Sequence, residues 1–80
     1  MYGWGYANPL VQAEAEGLPT VEAMVTFQEV VLAITLDPWG IAGHPPNNMP
    51  TIGFGTGGQI TYLILDERRM VYVTQVQWAG

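Results

Sequence analysis

The stretch GGQITYLILDERRMVYVTQVQW, residues 57–78, decides the fold. Two runs rich in β-branched and aromatic residues flank the charged tetrapeptide Asp66-Glu67-Arg68-Arg69, the pattern of a β-hairpin with a solvated bend. With the bend at Asp66 to Arg69, Leu65 opposes Met70, Ile64 opposes Val71, Leu63 opposes Tyr72 and Tyr62 opposes Val73. Shortening the turn to Glu67-Arg68 keeps that register and pairs Asp66 with Arg69. Uniform alternation places Leu63, Leu65, Met70, Tyr72 and Val76 on one face and Ile60, Tyr62, Ile64, Val71 and Val73 on the other. Both faces are apolar, and helices can cover only one. The other is expected to meet a partner, as exposed apolar strips commonly do; the expected partner-binding strip is Ile60, Tyr62, Ile64, Val71 and Val73. The competing expectation is that the termini or the loop at 40–50 fold over the second face.

Upstream of the hairpin the chain reads as one strand and two helices. MYGWGYA alternates aromatics with glycine, placing Tyr2, Trp4 and Tyr6 on one side of an extended segment, with an edge position expected because glycine weakens a strand. Asn8-Pro9 is a helix start: the Asn side chain accepts from an orphan amide and Pro suits the first helical position. Gly17 is available to end that short helix in a left-handed cap. Thr20 then caps a longer helix, with Glu22 in its first turn where the dipole favours an anion. Met24, Phe27, Val31 and Ile34 mark its buried stripe, widened by Ala23 and Val30, with Glu22, Thr26, Glu29 and Ala33 opposite. Asp37-Pro38 stops it, WGIAGHPPNNMP reads as a loop, and TIGF GTGG as a short strand and bend. The expected architecture is α+β: an N-terminal strand, a two-helix hairpin, then three antiparallel strands, with the helices on one sheet face.

Eighty residues suit one domain spanning 1–80, and a 49% hydrophobic fraction supports a core rather than disorder. A domain of this size hides only roughly 60% of its unfolded surface, so association would help it. Two Lys+Arg against seven Asp+Glu give a net charge of −5, a poor composition for a stand-alone binder of nucleic acid, whose affinity comes mainly from cations on phosphate. The amino terminus MYGWGYANP has neither a charged region nor an apolar run, so no signal peptide is expected. No stretch approaches the ~20 apolar residues of a membrane helix. The absence of cysteine excludes disulfides and suits a cytoplasmic location.

Candidate chemistry is sparse. The absence of serine excludes a serine triad. The run GFGTGG lacks the following helix and Lys-Ser/Thr of a phosphate-cradling loop. His44 in GHPPNN is the one histidine; it could exchange a proton near neutral pH, yet with no second His and dispersed acids it makes no metal site. No metal and no cofactor are expected. Arg68 and Arg69 are the only cations, and Tyr62 and Tyr72 read first as sheet packing.

LPTVEAMVTFQEVVLAITLDPWG (18–40) resembles the helix hairpin of the RelE/ParE superfamily of bacterial toxins, and MPTIGFGTGGQITYLILDERRMVYVTQVQW (49–78) resembles its closing strands. The resemblance implies a toxin-like component of a type II toxin–antitoxin system, bound by a cognate antitoxin or by a second copy of itself. RelE-like members cleave messenger RNA on the ribosome with basic residues and often a tyrosine or histidine on the exposed sheet; ParE-like members poison gyrase. Here the last strand reads VTQVQWAG, with Gln75 and Gln77 where cations are expected and Trp78-Ala79 where a basic pair is expected. An in-line attack by a ribose hydroxyl needs a base, an acid and cationic stabilisation of developing charge. The resemblance therefore points to binding with catalytic residues lost or reduced. The alternative is an active ribosome-dependent endoribonuclease, with Arg68, Arg69 and His44 as the available chemistry.

Overall fold

The computed structural model describes residues 1–42 and 47–79. The elements run β1 (Gly3–Tyr6), α1 (Pro9–Glu16), α2 (Val21–Leu36), α3 (Pro38–Ala42), β2 (Thr51–Phe54), β3 (Gly58–Leu65) and β4 (Met70–Trp78). The strands form one sheet in the order β1-β4-β3-β2. β1 runs parallel to β4 at one edge, and the other neighbours are antiparallel. This is the expected α+β architecture, with β1 at an edge. α1 lies against β4 and β1, and α2 against β2 and β4. No helix among the described residues is long and apolar enough to cross a membrane.

The helix starts follow from their caps. Asn8 Oδ1 accepts from Val11 N at 3.0 Å with Pro9 opening α1, and Thr20 Oγ1 accepts from Ala23 N at 3.0 Å. Two local readings change. Gly17 caps α1 at φ −91° rather than in the left-handed region, because its N–H still reaches Ala13 O at 2.9 Å and the helical turn simply continues. Residues 38–42, read as loop, form α3: Asp37 ends α2 and its Oδ1 also accepts from Gly40 N at 3.0 Å, so Asp37-Pro38 is a helix start as well as a stop.

The hairpin register is the expected one from Tyr62↔Val73 to Leu65↔Met70. Beyond it the ladder slips: Thr61 pairs with Gln75, which leaves Thr74 as the extra residue of a β-bulge. One added residue reverses which side the following side chains face. Val76, grouped by uniform alternation with Leu63 and Tyr72, therefore turns inward and is 3% exposed, while Gln75 and Gln77 turn outward.

The core is the layer between helices and sheet. Ile60, Tyr62 and Ile64 are 0% exposed, and Val71 and Val73 are 1% exposed. This corrects the expected partner strip: Ile60, Tyr62, Ile64, Val71 and Val73 are covered by this chain's own helices, packing with Val11, Ala23, Phe27, Val31 and Ile34. Trp4 pairs with Val71 and Tyr6 with Val73, so the β1 aromatics share the helix side. An aromatic chain closes the far end, with Phe27–Phe54 centroids at 5.6 Å and Phe54–Trp78 at 5.7 Å. Gly55 takes φ +60° there, and a Cβ would lie 2.8 Å from Thr26 Oγ1, so the bend between β2 and β3 rests on α2 only as glycine. Along α2 the expected stripe holds at Ala23, Phe27, Val31 and Ile34, whereas Met24 is 44% exposed and falls outside it.

Candidate functional site

Among the described residues, no helix covers the second sheet face. Across its centre Leu63 opposes Tyr72 and Leu65 opposes Met70, and all four side chains are half-buried. Gly3 and Gly5 of β1 pair with Met70 and Tyr72, so the edge strand adds no side chain and leaves Tyr72 open on that flank. The Gly3 Cα lies so close to Met70 that a Cβ would sit 2.7 Å from its Sδ. Toward the far end the face turns polar, with Gln59 opposite Gln77 and Thr61 opposite Gln75. Thr61 and Thr51 share a hydroxyl–hydroxyl hydrogen bond of 2.8 Å, and Thr74 Oγ1 donates to Thr61 O at 3.2 Å. The result is an apolar half around Tyr72 and an amide-and-hydroxyl half around Gln75. Among the described residues, no charged side chain alternates onto this face.

The bend that joins β3 to β4 closes one end of it. Asp66 to Arg68 make a 3-10 turn, and Arg69 follows in the left-handed region at φ 54° with its N–H on Asp66 O at 3.1 Å. Asp66 Oδ1 accepts both the Tyr2 hydroxyl at 2.6 Å and the Trp39 indole N–H at 2.9 Å. The Arg69 guanidinium stands 5.1 Å from the centroid of the Tyr2 ring, an exposed cation–π contact. The hydrogen bond to Asp66, then partial burial and the Asp66 charge, raise the Tyr2 pKa, against a lowering by Arg69. Arg68 lines a shallow hollow with Asn48, Leu65, Asp66 and Glu67, where its charge is balanced by the two acids.

The two tyrosines read as packing part company. Tyr62 is internal, donates its hydroxyl to Pro38 O at 2.9 Å, and has its pKa pushed up to about 12 by burial, with Asp37 adding to the effect. Tyr72 is on the open face, and it is the residue that sequence reasoning did not place in the site. The signal was present in the hairpin register, which sets Tyr72 and Tyr62 on opposite faces; what was missing was which face the helices take. The candidates Arg68 and Arg69 lie together at the bend, whereas His44 lies outside the described residues. No group of three or more His, Cys, Asp or Glu among the described residues could hold a metal ion.

The sequence matches no protein-family model and no curated protein. The fold does match solved structures. A chain in the crystal structure of the intact E. coli RelBE toxin–antitoxin complex superposes with a TM-score of 0.80 at 16% identity, covering 100% of this chain and 99% of that one. The isolated E. coli RelE toxin superposes with a TM-score of 0.80 at 17% identity, covering 100% of this chain and 86% of that one. The chain has a RelE-like toxin fold.

Proposed function

We propose that residues 1–80 act as one domain, the toxin-like member of a cytoplasmic toxin–antitoxin pair, whose open sheet face binds a cognate antitoxin or a second copy of the chain. Its catalytic residues are lost or reduced. The observation that carries this reading is the make-up of the open face: Leu63, Leu65, Met70 and Tyr72 beside Gln59, Gln75 and Gln77, without a cation among them. Stabilising a phosphorane needs positive charge aimed at the equatorial oxygens, and neutral amides supply only weak dipoles. Half-buried apolar side chains around an aromatic instead suit a protein partner. The intact E. coli complex of the same fold holds a toxin with its antitoxin, which supports the pairing by analogy of fold.

The test is co-purification of the chain with the product of the adjacent gene, comparing wild type with Leu63→Glu and Tyr72→Glu. Complex formation lost in both variants, with the fold kept, is the expected result. A wild-type chain that stays monomeric and ignores that product overturns the proposal.

One observation favours a second reading, an active ribosome-dependent endoribonuclease: the Tyr72 phenol lies on the open face of the sheet whose bend carries Arg68 and Arg69. Inducible expression with mapping of message 5′ ends separates the two. Discrete cleavage that vanishes in Arg68→Ala/Arg69→Ala would establish the second reading; intact messages and normal growth would remove it.

A further inference from the structure

The helix layer has a second apolar surface, on the side of α2 that faces away from the sheet. Val21, Val25, Leu32 and Leu36 are 76%, 50%, 55% and 62% exposed. At the α-helical repeat they fall within an arc of about 60° and run the whole length of α2, roughly 22 Å. Phe27, Val31 and Ile34 fill the opposite side, so α2 carries two apolar stripes back to back with polar residues between them, which is the pattern of a helix covered on both sides. Glu22 and Glu29 border the stripe on one flank; on the other, Glu16 of α1 lines a shallow hollow with Met24 and Gln28.

Charge decides what fits there. Asp66, Glu67, Arg68 and Arg69 cancel at the hairpin bend, so the net charge of −5 resides in Glu14, Glu16, Glu22, Glu29 and Asp37, all on α1, α2 or the α2 cap. Among the described residues the side chains of the helix layer carry only negative charge, and neither arginine lies on it; the Met1 amino terminus reaches one edge, in a hollow shared with Gln28 and Leu32. A second copy fits poorly: a two-fold antiparallel pairing of α2 with α2 would set Glu29 near its symmetry mate and bring no positive charge to either flank.

We propose that this stripe is a docking surface for a basic amphipathic helix of a different protein, whose apolar residues seat on Val25 and Leu32 and whose Lys or Arg residues pair with Glu22, Glu29 and Glu16. The surface lies on the opposite side of the molecule from the open sheet face, and the inference holds whether or not that face binds a partner. Helix-in-groove recognition of this kind takes affinity from the apolar seam and orientation from the flanking charges.

The probe is a fluorescein-labelled synthetic helix with a leucine stripe and lysine flanks, titrated by anisotropy against the full chain, alongside the same peptide with glutamate for lysine. The lysine peptide is expected to bind, and Val25→Ser/Leu32→Ser and Glu22→Gln/Glu29→Gln each to weaken it by about tenfold, the scale of one or two lost contacts. The glutamate peptide is expected not to bind, and Leu63→Ser/Tyr72→Ser to bind the lysine peptide as wild type does. These substitutions are at exposed or half-exposed sites, and thermal melts confirm that each variant is folded. Equal binding of both peptides, unchanged binding by Val25→Ser/Leu32→Ser, or loss of binding in Leu63→Ser/Tyr72→Ser overturns the inference. So does a wild-type dimer in sedimentation that Val25→Ser/Leu32→Ser dissociates, which would make the occupant a second copy.

Discussion

The Tyr2 hydroxyl donates to Asp66 Oδ1 at 2.6 Å, tying the amino terminus to the hairpin bend across 64 positions of sequence. Trp39 donates to the same oxygen at 2.9 Å, so one carboxylate gathers β1, α3 and the bend. The backbone reinforces the join, with Tyr2 N on Thr35 O at 2.7 Å and Gly3 N on Arg69 O at 2.8 Å. Asp66→Ala removes the shared acceptor while leaving the β3–β4 ladder intact. The expected outcome is selective loosening: faster hydrogen exchange at the Gly3 and Gly5 amides and a red-shifted Trp39 emission, with β3 amides unchanged. Uniform acceleration across the sheet would mean that Asp66 holds the whole fold instead.

Buried Tyr62 makes stability depend on alkaline pH. Its folded pKa, about 12, lies above the ordinary value of 10.0, so between those values the folded protein keeps a proton that the unfolded chain loses. The contribution is fully present below about pH 10 and is lost as pH rises toward the folded value. Tyr2 and Tyr6 are raised as well and act in the same direction. Urea unfolding at increasing pH should therefore show a falling midpoint above about pH 10. Tyr62→Phe should flatten that fall while costing about 1–3 kcal/mol at neutral pH, because Pro38 O is left without its donor. A slope in Tyr62→Phe as steep as in wild type would assign the effect elsewhere.

The two faces of the hairpin should answer oppositely to the same substitution. Ile64→Glu places a carboxylate at a site that is 0% exposed and should unfold the domain, whose total stability is of the order of 5 kcal/mol. Tyr72→Glu, on the half-open face, should leave the circular dichroism spectrum and melting point close to wild type. The milder Ile64→Ala should cost about 2–5 kcal/mol. If Tyr72→Glu unfolds the chain, the open face is part of the core.

Deleting Thr74 should be tolerated. Removing the bulged residue restores plain alternation while leaving Val73 and Val76 inward and Gln75 outward, so the core keeps its side chains and the strand loses local twist and the Thr74 hydroxyl bond to Thr61 O. Deleting Tyr72 instead should abolish folding, because Met70 and Val71 would exchange faces. Melting curves of the two deletions decide the matter, and equal damage from both would remove the bulge as the cause of the inward turn at Val76.

These contrasts also show where the sequence was readable. Asn8 and Thr20 announced the helix starts because capping is local chemistry, and four cross-strand pairs from Tyr62 to Leu65 followed from the bend alone. The identity of the covered face did not, since alternation divides a strand into two sets without saying which set the helices meet. With Ile60, Ile64 and Val71 on one side and Leu63, Leu65 and Met70 on the other, both sets were apolar enough to be core. The bulge at Thr74 was hidden for another reason: an extra residue changes the parity of everything after it yet needs no particular residue type. Val25 and Leu32 escape the periodicity argument because one stripe suffices to seat a helix on a sheet, and α2 carries two.

Arg69 holds its place against the preference of its own backbone. A φ of 54° is a conformation that glycine adopts freely and that costs an L-residue about 1–2 kcal/mol, so Arg69→Gly should relieve the turn itself. The same change would strip the Tyr2 ring of its guanidinium neighbour and leave Asp66 and Glu67 facing a single cation. One side chain thus trades intrinsic comfort for a link to the first strand, and the sign of the measured change in stability would reveal which of the two the fold values more.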